Sequence, residues 1–455
     1  MAPSVGSGTP TKAAATTPST SYAGPLVILT TLFFMWGSLT SLNDVLIPYV
    51  QHVFKIRLAA SMLIQTAFFS AYFVFSIPSA RIIDWIGYKK AIVVGLMTMV
   101  VACLGFYPAA RIPSFPFFLF ALIVLATGIT ILQVAANPYV AVLGKPQTAS
   151  SRLVLTQAFN SLGTAVFPWV GATLILGSAS AALAQTASQE ADAIVKLYVY
   201  FFAAALFILA IGIGISNLPK IESAEHHIGE KVNDSVWKHP NLVFAAIGIF
   251  MYVGGEVAIG SSIANYLALP NIGGFAPDIA DSATRYHAAL GEAARYISVY
   301  WLGAMIGRFI GSAILQKVKA GTLLALFAVM AILLVGISVL SGGHVAMWSI
   351  LAVGLFNSIM FPCIFTLGIA ELGPLTGDAS GILNMAIVGG AVIPWLVGKS
   401  ADVINRAYYP AMTQGETSWG QGIHYALAGA LICYLYILFF AVSGSKPNSE
   451  RRVGA

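Results

Sequence analysis

The chain has 455 residues, of which 58% are apolar and only 9% are charged. Soluble domains carry about a quarter charged residues, so no water-soluble fold could bury this much apolar surface. The net charge of +6 comes from Lys and Arg residues scattered at the ends of apolar segments, which argues against a nucleic-acid partner. The composition predicts an all-α protein that crosses a membrane repeatedly.

Counting about twenty apolar residues per span predicts about twelve transmembrane helices. The first six lie near residues 25–50, 59–82, 90–108, 115–142, 151–178 and 196–217. The last six lie near residues 240–266, 288–316, 320–340, 345–371, 379–402 and 423–443. We therefore expect two six-helix bundles, 23–217 and 240–445, joined by a polar cytoplasmic linker, 218–239.

Both ends of the chain are predicted to be cytoplasmic tails, 1–22 and 446–455. The first is rich in Ser, Thr, Pro and Ala and has no apolar core followed by a cleavage site, so no signal peptide is expected. With the N-terminus inside, 15 of the 23 basic residues fall on the cytoplasmic side, and this bias supports the orientation. Three cysteines inside apolar segments, Cys103, Cys363 and Cys433, are expected to be buried without disulfides.

The two halves share a Pro-Trp step at corresponding places, Pro168-Trp169 in the fifth span and Pro394-Trp395 in the eleventh. Such a match is compatible with internal duplication and a pseudo-two-fold axis around a central cavity. Chance is a competing explanation in a chain of this composition.

The segment from Ser79 to Lys90 combines a small residue, an Asp-x-x-Gly spacing and a basic pair after the second span. A generic positively charged loop would explain the lysines but not the Asp-x-x-Gly spacing. The segment resembles the signature loop of the major facilitator superfamily. Gly allows a tight turn, and the Asp can act as a switchable charge latch at neighbouring helix ends. The candidate latch residues are Arg81, Asp84, Gly87, Lys89 and Lys90.

An ionisable group inside the bilayer is costly unless it faces protein or water, and Asp44 is such a group at the outer part of the first span. It follows Asn43, and Pro48 lies four residues further on, where it can free a backbone carbonyl. These oxygens could bind Na⁺ or exchange a proton. The alternative is an interfacial Asp in an outer vestibule.

Amide side chains recur inside the predicted spans. Gln133 and Asn137 lie four residues apart on one face of the fourth span, and Gln157 and Asn160 share a face of the fifth. An amide both donates and accepts hydrogen bonds, as a sugar hydroxyl does. Each amide alone could instead serve only as interhelical glue.

The seventh span carries Glu256 directly after Gly254 and Gly255, which could permit a local break that aims the carboxylate into a cavity. Asn265, Asn357 and Asn384 extend the polar lining in the second half. Trp36, Phe34 and Trp395 are candidates for an apolar platform under a pyranose ring, with core packing as the alternative role.

These residues sharpen the resemblance. The relevant motifs are Asn43-Asp44 with Pro48, Gln133 to Pro138, Gln157 to Gly163, and Tyr252 to Ser261. Together they resemble the fucose permease branch of the superfamily, and within it the bacterial glucose/galactose transporters, from about residue 25 to 443. The resemblance implies alternating access, a central sugar site and cation-coupled uptake.

One position departs from that branch, because the proton-coupled fucose permease carries a Glu in its fourth span where this chain has Gln133. A glutamine cannot titrate, so a two-carboxylate proton relay through this position is not expected. Asp44 remains the candidate coupling group, and Na⁺ coupling through oxygen ligands becomes plausible chemistry.

The sequence thus predicts a monomeric symporter of the bacterial inner membrane that imports a glucose- or galactose-like hexose with Na⁺ or H⁺. We expect no cofactor, no metal beyond a candidate sodium site at Asp44, and no enzyme activity, because no metal-ligand cluster, nucleophile–base pair or phosphate loop is evident. A sugar facilitator, a transport-inactive sugar sensor and a proton-driven drug or metabolite antiporter remain alternatives. The sequence does not choose the hexose or the ion.

Overall fold

The computed structural model describes residues 23–54, 63–112, 114–171, 192, 194–216, 218, 235–275, 289, 292–293, 295–408 and 421–446. Within these ranges it does not describe the side chains of residues 23, 43–54, 63–66, 168–169 and 171. Every regular element in the described ranges is helical, as expected for a chain whose backbone must satisfy its own hydrogen bonds in lipid.

The first half of the chain forms five α-helices in the described ranges. They are α1 (Ala23–Phe54), α2 (Leu63–Arg111), α3 (Phe115–Val142), α4 (Ala149–Gly171) and α5 (Ala203–Ile215). The π-helical turns Val195–Phe202 lead directly into α5.

The second half forms nine α-helices in the described ranges. They are α6 (Pro240–Leu267), α7 (Ile297–Ile314), α8 (Ala320–Leu340), α9 (Gly343–Asn357), α10 (Met360–Gly368), α11 (Thr376–Met385), α12 (Gly389–Tyr408), α13 (Gly422–Ala426) and α14 (Gly429–Phe439). Most of the predicted linker 218–239 lies outside the described residues; its end contains a short 3₁₀ turn, Val236–Lys238.

Ten helices in the described part of the chain are long and apolar enough to cross a membrane. One of them, Ala67–Arg111, has 45 residues and would be about 68 Å long if straight, twice the hydrocarbon thickness of about 30 Å. Gly87 interrupts it with φ 77°, so α2 contributes two spans. Helix α4 is long enough for another, although its many polar residues lower its hydropathy. These additions give the twelve spans that the sequence predicts.

Two predicted spans are discontinuous next to polar residues. The tenth divides into α9 and α10 directly after Asn357, and the eleventh divides into α11 and α12 just after Asn384. A broken helix exposes backbone groups, which membrane transporters tolerate where the break is buried in protein or lines a site. Both breaks therefore mark positions of functional interest.

Small residues bring α1 and α4 into close contact. A Cβ atom at Gly37 would overlap the backbone carbonyl of Asn160, and one at Gly163 would overlap the carbonyl of Phe34. Such close approach is the usual role of small residues between membrane helices. It holds the polar side chains of α4 directly against the backbone of α1.

The two halves meet on the face that contains the Gly87 turn, the Lys145–Thr148 link and the Glu371–Leu375 link, which we call the turn face. Ser151 and Ser312 exchange hydrogen bonds across the halves, from Ser151 Oγ to Ser312 O at 2.8 Å and from Ser312 Oγ to Ser151 O at 3.0 Å. The hydroxyls of Ser150 and Thr366 lie 2.6 Å apart, and Ser380 Oγ donates to Val134 O at 2.8 Å. The turn face is therefore closed.

Candidate functional site

The predicted sugar ligand Gln133 is buried on α3 and belongs to a chain of side chains that spans three helices. Its Nε2 atom donates to the Tyr72 hydroxyl on α2 at 2.7 Å. The Tyr72 hydroxyl also lies beside the side chain of Trp36 on α1, close enough to interact. Gln133 and Trp36, which were predicted separately, thus lie on either side of Tyr72. The sequence analysis missed Tyr72, because nothing in the sequence distinguishes it from the other tyrosines among the 18 in the chain.

The other amides of the first half lie beside this group. Gln157 Nε2 on α4 is 3.5 Å from Asn137 Oδ1 on α3, at the limit of a hydrogen bond. Asn160 Nδ2 donates to the backbone carbonyl of Phe33 at 3.0 Å. The four predicted amides of the third and fourth helices therefore face one region between α1, α3 and α4.

A second polar group lies in the other half. Asn357 Nδ2 donates to the Tyr300 hydroxyl at 2.7 Å, and that hydroxyl donates to the backbone carbonyl of Glu256 at 3.4 Å. The break after Asn357 places its amide beside α6 and α7. Tyr300 is a further residue that the sequence analysis missed.

Glu256 is 8% exposed and is the only acidic residue buried among the described side chains. Its helix does not break at Gly254 and Gly255 as expected, because α6 runs continuously from Pro240 to Leu267. The glycines instead permit close packing: a Cβ atom at Gly254 would overlap Ile393, and one at Gly255 would lie 3.2 Å from the Cβ of Cys433. The two glycines therefore allow neighbouring helices to pack closely beside Glu256, and they do not kink α6.

Arg308 joins the two polar groups. Its Nη1 donates to Ser161 Oγ in the first half, and its Nε donates to Ser358 O at 3.1 Å. Ser161 Oγ in turn donates to the backbone carbonyl of Gln157 at 3.0 Å. The sequence analysis did not consider Arg308 as a site residue; it lies within α7, six residues before the helix ends at Ile314. Its position within an apolar segment was the signal that could have identified it.

Several buried amide atoms have no hydrogen-bond partner among the residues that the structure describes. They are Asn137 Nδ2, Asn357 Oδ1, Asn384 Nδ2 and Asn384 Oδ1, and, at the start of α6, Asn241 Oδ1. An unpaired buried polar atom is costly, and a polar ligand that reached these atoms would relieve that cost. Asn265 is half-buried near the end of α6, more than two turns from Glu256, and the hydrogen bonds described above do not join it to this group.

The remaining predicted residues lie apart from these groups or outside the description. Trp395 is 60% exposed, and its ring is 5.9 Å from Lys399 Nζ, so it does not join the buried polar groups. Phe34 is half-buried and packs edge-on against Phe167 at 6.0 Å. Asn43 and Asp44 belong to α1, which continues through Pro48, but their side chains lie outside the described part of the chain.

The residues of the predicted latch occupy the turn face. A Cβ atom at Gly377, in the first turn of α11, would lie 3.0 Å from Asp84 Oδ1. This carboxylate thus faces the positive end of a helix in the opposite half. Lys89 Nζ donates to Ser216 O at 2.8 Å within its own half, while Arg81 and Lys90 are exposed.

The three cysteines are free and buried, in agreement with the sequence analysis. No group of three His, Cys, Asp or Glu side chains among the described residues could hold a metal ion.

Comparison with known proteins agrees with this architecture. Residues 27–394 match the family model of the Major Facilitator Superfamily. The chain is 47% identical over 425 residues to a Brucella abortus protein named glucose/galactose transporter, covering 93% of this chain and 95% of the relative. It is 30% identical over 405 residues to the L-fucose-proton symporter of Escherichia coli K12, covering 84% of this chain and 88% of the relative.

A crystal structure of FucP, a Major Facilitator Superfamily transporter in the outward conformation, superposes with a TM-score of 0.78 at 28% identity. The match covers 93% of this chain and 99% of that chain. The multi-pass fold with two six-helix bundles and the family predicted from the sequence are confirmed: the chain belongs to the Major Facilitator Superfamily.

Proposed function

We propose that this chain is a symporter that imports a hexose of the glucose/galactose type together with a proton, by alternating access. Relatives at 47% and 30% identity are named glucose/galactose transporter and L-fucose-proton symporter, which supports both the sugar and the ion. The proposal makes the protein a transporter and assigns it no enzyme activity and no cofactor.

The observation that carries the sugar assignment is the set of buried amides contributed by both halves. Gln133, Asn137, Gln157 and Asn160 come from the first half, and Asn357 and Asn384 from the second. The amide atoms that lack protein partners include two Nδ2 donors and two Oδ1 acceptors. A hexose offers hydroxyls that donate and accept at once, so it can satisfy both kinds of atom, whereas an apolar drug would leave them unpaired.

The closed turn face gives the direction of access in this conformation. Hydrogen bonds between described side chains of the two halves involve that face or the middle of the bundle. Substrate would therefore enter from the opposite face and leave after the halves separate at the turn face. Sugar and cation need only bind the two conformations with different affinity for their transport to be coupled.

Asp44 remains the proposed coupling carboxylate of the first half, since Gln133 cannot titrate. We further propose the domain division at residues 218–239, a monomer, and insertion in the bacterial inner membrane with both tails in the cytoplasm. The turn face is then the cytoplasmic face, as the excess of basic residues there supports.

The test is hexose uptake into proteoliposomes under an imposed pH gradient without Na⁺, and under an imposed Na⁺ gradient at equal pH. Wild type is compared with Asp44→Asn and with Asp192→Asn, a matched substitution at a half-exposed surface ion pair with Arg111. We expect uptake driven by the pH gradient, lost in Asp44→Asn and kept in Asp192→Asn. Uptake that ignores both gradients and survives Asp44→Asn would make the protein a facilitator.

A further inference from the structure

The second half contains a buried carboxylate whose surroundings change when the halves separate. Glu256 lies near the middle of α6, and its Oε1 atom is buried without a hydrogen-bond partner. Holding a charge there would be costly, because a carboxylate in an apolar medium needs a close cation or several hydrogen bonds. A neutral, protonated carboxyl avoids this cost.

Among the described residues, Arg308 is the one cation that interacts with Glu256. The titratable side chains that interact with it or with its immediate neighbours are Tyr252 on α6, Arg308 and Tyr300 on α7, and Tyr434 with adjacent Cys433 on α14. Helices α10 and α12 contact this part of α6 through the apolar residues Phe361 and Ile393. The hydroxyls of Tyr252 and Tyr434 are buried and make no hydrogen bond of standard geometry in the described part of the chain. Tyr252 nevertheless lies beside the Glu256 side chain, and Tyr434 beside that of Asn357, close enough to interact.

Arg308 is close enough to interact with the charge of Glu256, but its hydrogen bonds go elsewhere. Its Nη1 donates to Ser161 and its Nε to the backbone carbonyl of Ser358. Ser161 belongs to the first half, whereas Arg308, Ser358 and Glu256 all belong to the second. Separation of the two halves at the turn face, which alternating access requires, would move Ser161 away from Arg308 and would leave Glu256 and Arg308 in the same half.

We propose that Glu256 is a proton-binding site of the transport cycle, with Arg308 as its conformation-dependent charge partner. While the turn face is closed, Ser161 holds the guanidinium, and the carboxyl of Glu256 carries a proton. When the halves separate at the turn face, Arg308 is freed to pair with the carboxylate. The O–H bond of Glu256 then breaks, and the proton leaves to water on the turn side. Return to the closed state withdraws the guanidinium, and the carboxylate takes up a proton from the opposite side.

This inference rests on the proposed symport. It adds to Asp44 a second carboxyl group that could bind the transported proton. Helix α3 contains no Asp or Glu beside its amides, and Glu256 supplies a carboxyl group in the other half. If Glu256 binds a proton only in the conformation in which Arg308 is hydrogen-bonded to Ser161, proton binding shifts the equilibrium toward the closed turn face. Proton binding and the conformational change are then coupled. Glu256 thereby receives a role different from the sugar ligand that the sequence predicts.

The first arm of the test observes protonation directly, without transport. Infrared difference spectra of the purified full-length protein in lipid are recorded as pH is raised, following the C=O stretch of protonated carboxyl groups. We expect a band that is lost at high pH in wild type and is absent in Glu256→Gln. In Arg308→Gln the band should persist to higher pH by about one unit or more, and Arg308→Lys should restore most of this shift.

The second arm measures transport of labelled hexose in proteoliposomes. Glu256→Gln should lose accumulation driven by a pH gradient while it still exchanges labelled for unlabelled sugar. A spectrum of Glu256→Gln identical to wild type, or undiminished pH-driven accumulation, would overturn the proposal. Loss of exchange together with accumulation would also overturn it, because a sugar ligand or a structural residue behaves in that way.

If Glu256→Gln is unstable, Glu256→Asp keeps a carboxyl that is one methylene shorter. It should retain a titrating band at a displaced pH, and an unmoved band would count against the assignment. Wild-type vesicles that neither exchange nor accumulate hexose would refute the proposed function, whereas the infrared titration would still decide whether Glu256 binds a proton.

Discussion

Gly381 on α11 packs against α2 of the opposite half, and its substitution by Ala should open the turn face. A Cβ atom there would lie 2.9 Å from the Cβ of Ala80 and 3.1 Å from the backbone oxygen of Ser76. Both contacts are shorter than ordinary van der Waals separation, and much of the obstruction is helix backbone, which cannot turn aside. Added methyl groups in packed interiors cost about 1–3 kcal/mol.

This cost falls only on the conformation with the turn face closed, because Gly381 and its neighbours separate when the halves move apart. A cost of about 1–3 kcal/mol shifts the equilibrium about 5- to 150-fold toward the open turn face. The substitution Gly381→Ala should therefore convert a minor conformation into a measurable one without altering any polar side chain.

The assay is the distance between spin labels at Lys145→Cys and Lys317→Cys, two exposed positions on links of opposite halves at the turn face. We expect Gly381→Ala to add a population at longer distance. The matched control is Gly336→Ala, where no atom lies within 4 Å of the added Cβ, and it should match wild type. A distribution for Gly381→Ala that equals the control would refute the reasoning.

Three further predictions follow from the same contacts. Asp84→Asn removes the negative charge on α2 that faces the first turn of α11, an interaction worth about 0.3–2 kcal/mol, so the same spin-label distance should lengthen. An unchanged distance would argue against a latch. Gly163→Ala should lower the thermal unfolding midpoint by several degrees, since the methyl group overlaps α1, whereas Gly214→Ala, with open space around it, should not; equal midpoints would contradict the close packing. Gln133→Leu should weaken hexose binding at least about tenfold in equilibrium binding measurements, and Tyr72→Phe should do so less; unchanged affinity of Gln133→Leu would remove it from the site.

The spans could be predicted because the bilayer fixes both their length and their apolar character. The predicted span 115–142 has the same bounds as α3, and 320–340 the same bounds as α8. Breaks inside spans were harder to foresee. The interruption after Asn357 lies just before Pro362, which cannot donate to the carbonyl of Ser358, but the sequence analysis did not use this signal. The interruption after Asn384, Ala386–Val388, contains no proline. Conversely, Gly254 and Gly255 suggested a break where close packing with Ile393 and Cys433 keeps α6 continuous.

Part of the site could also be predicted from the sequence, because polar amide side chains are rare inside apolar segments and therefore stand out. Gln133, Asn137 and Gln157 do lie side by side in the structure. The connection through Arg308 could not be predicted, since its partner Ser161 is distant in the chain and no local pattern joins them. The exposed position of Trp395 could not be predicted either, because the sequence does not show which side of α12 carries this side chain.

The measurement that tests hexose transport most directly is counterflow, which needs no ion gradient. Proteoliposomes of the wild-type protein are loaded with unlabelled galactose and diluted into a trace of labelled glucose. The account predicts a transient rise of labelled glucose inside the vesicles above its external concentration, followed by decay to equilibrium. A time course that never exceeds equilibrium and equals that of protein-free vesicles would contradict the account.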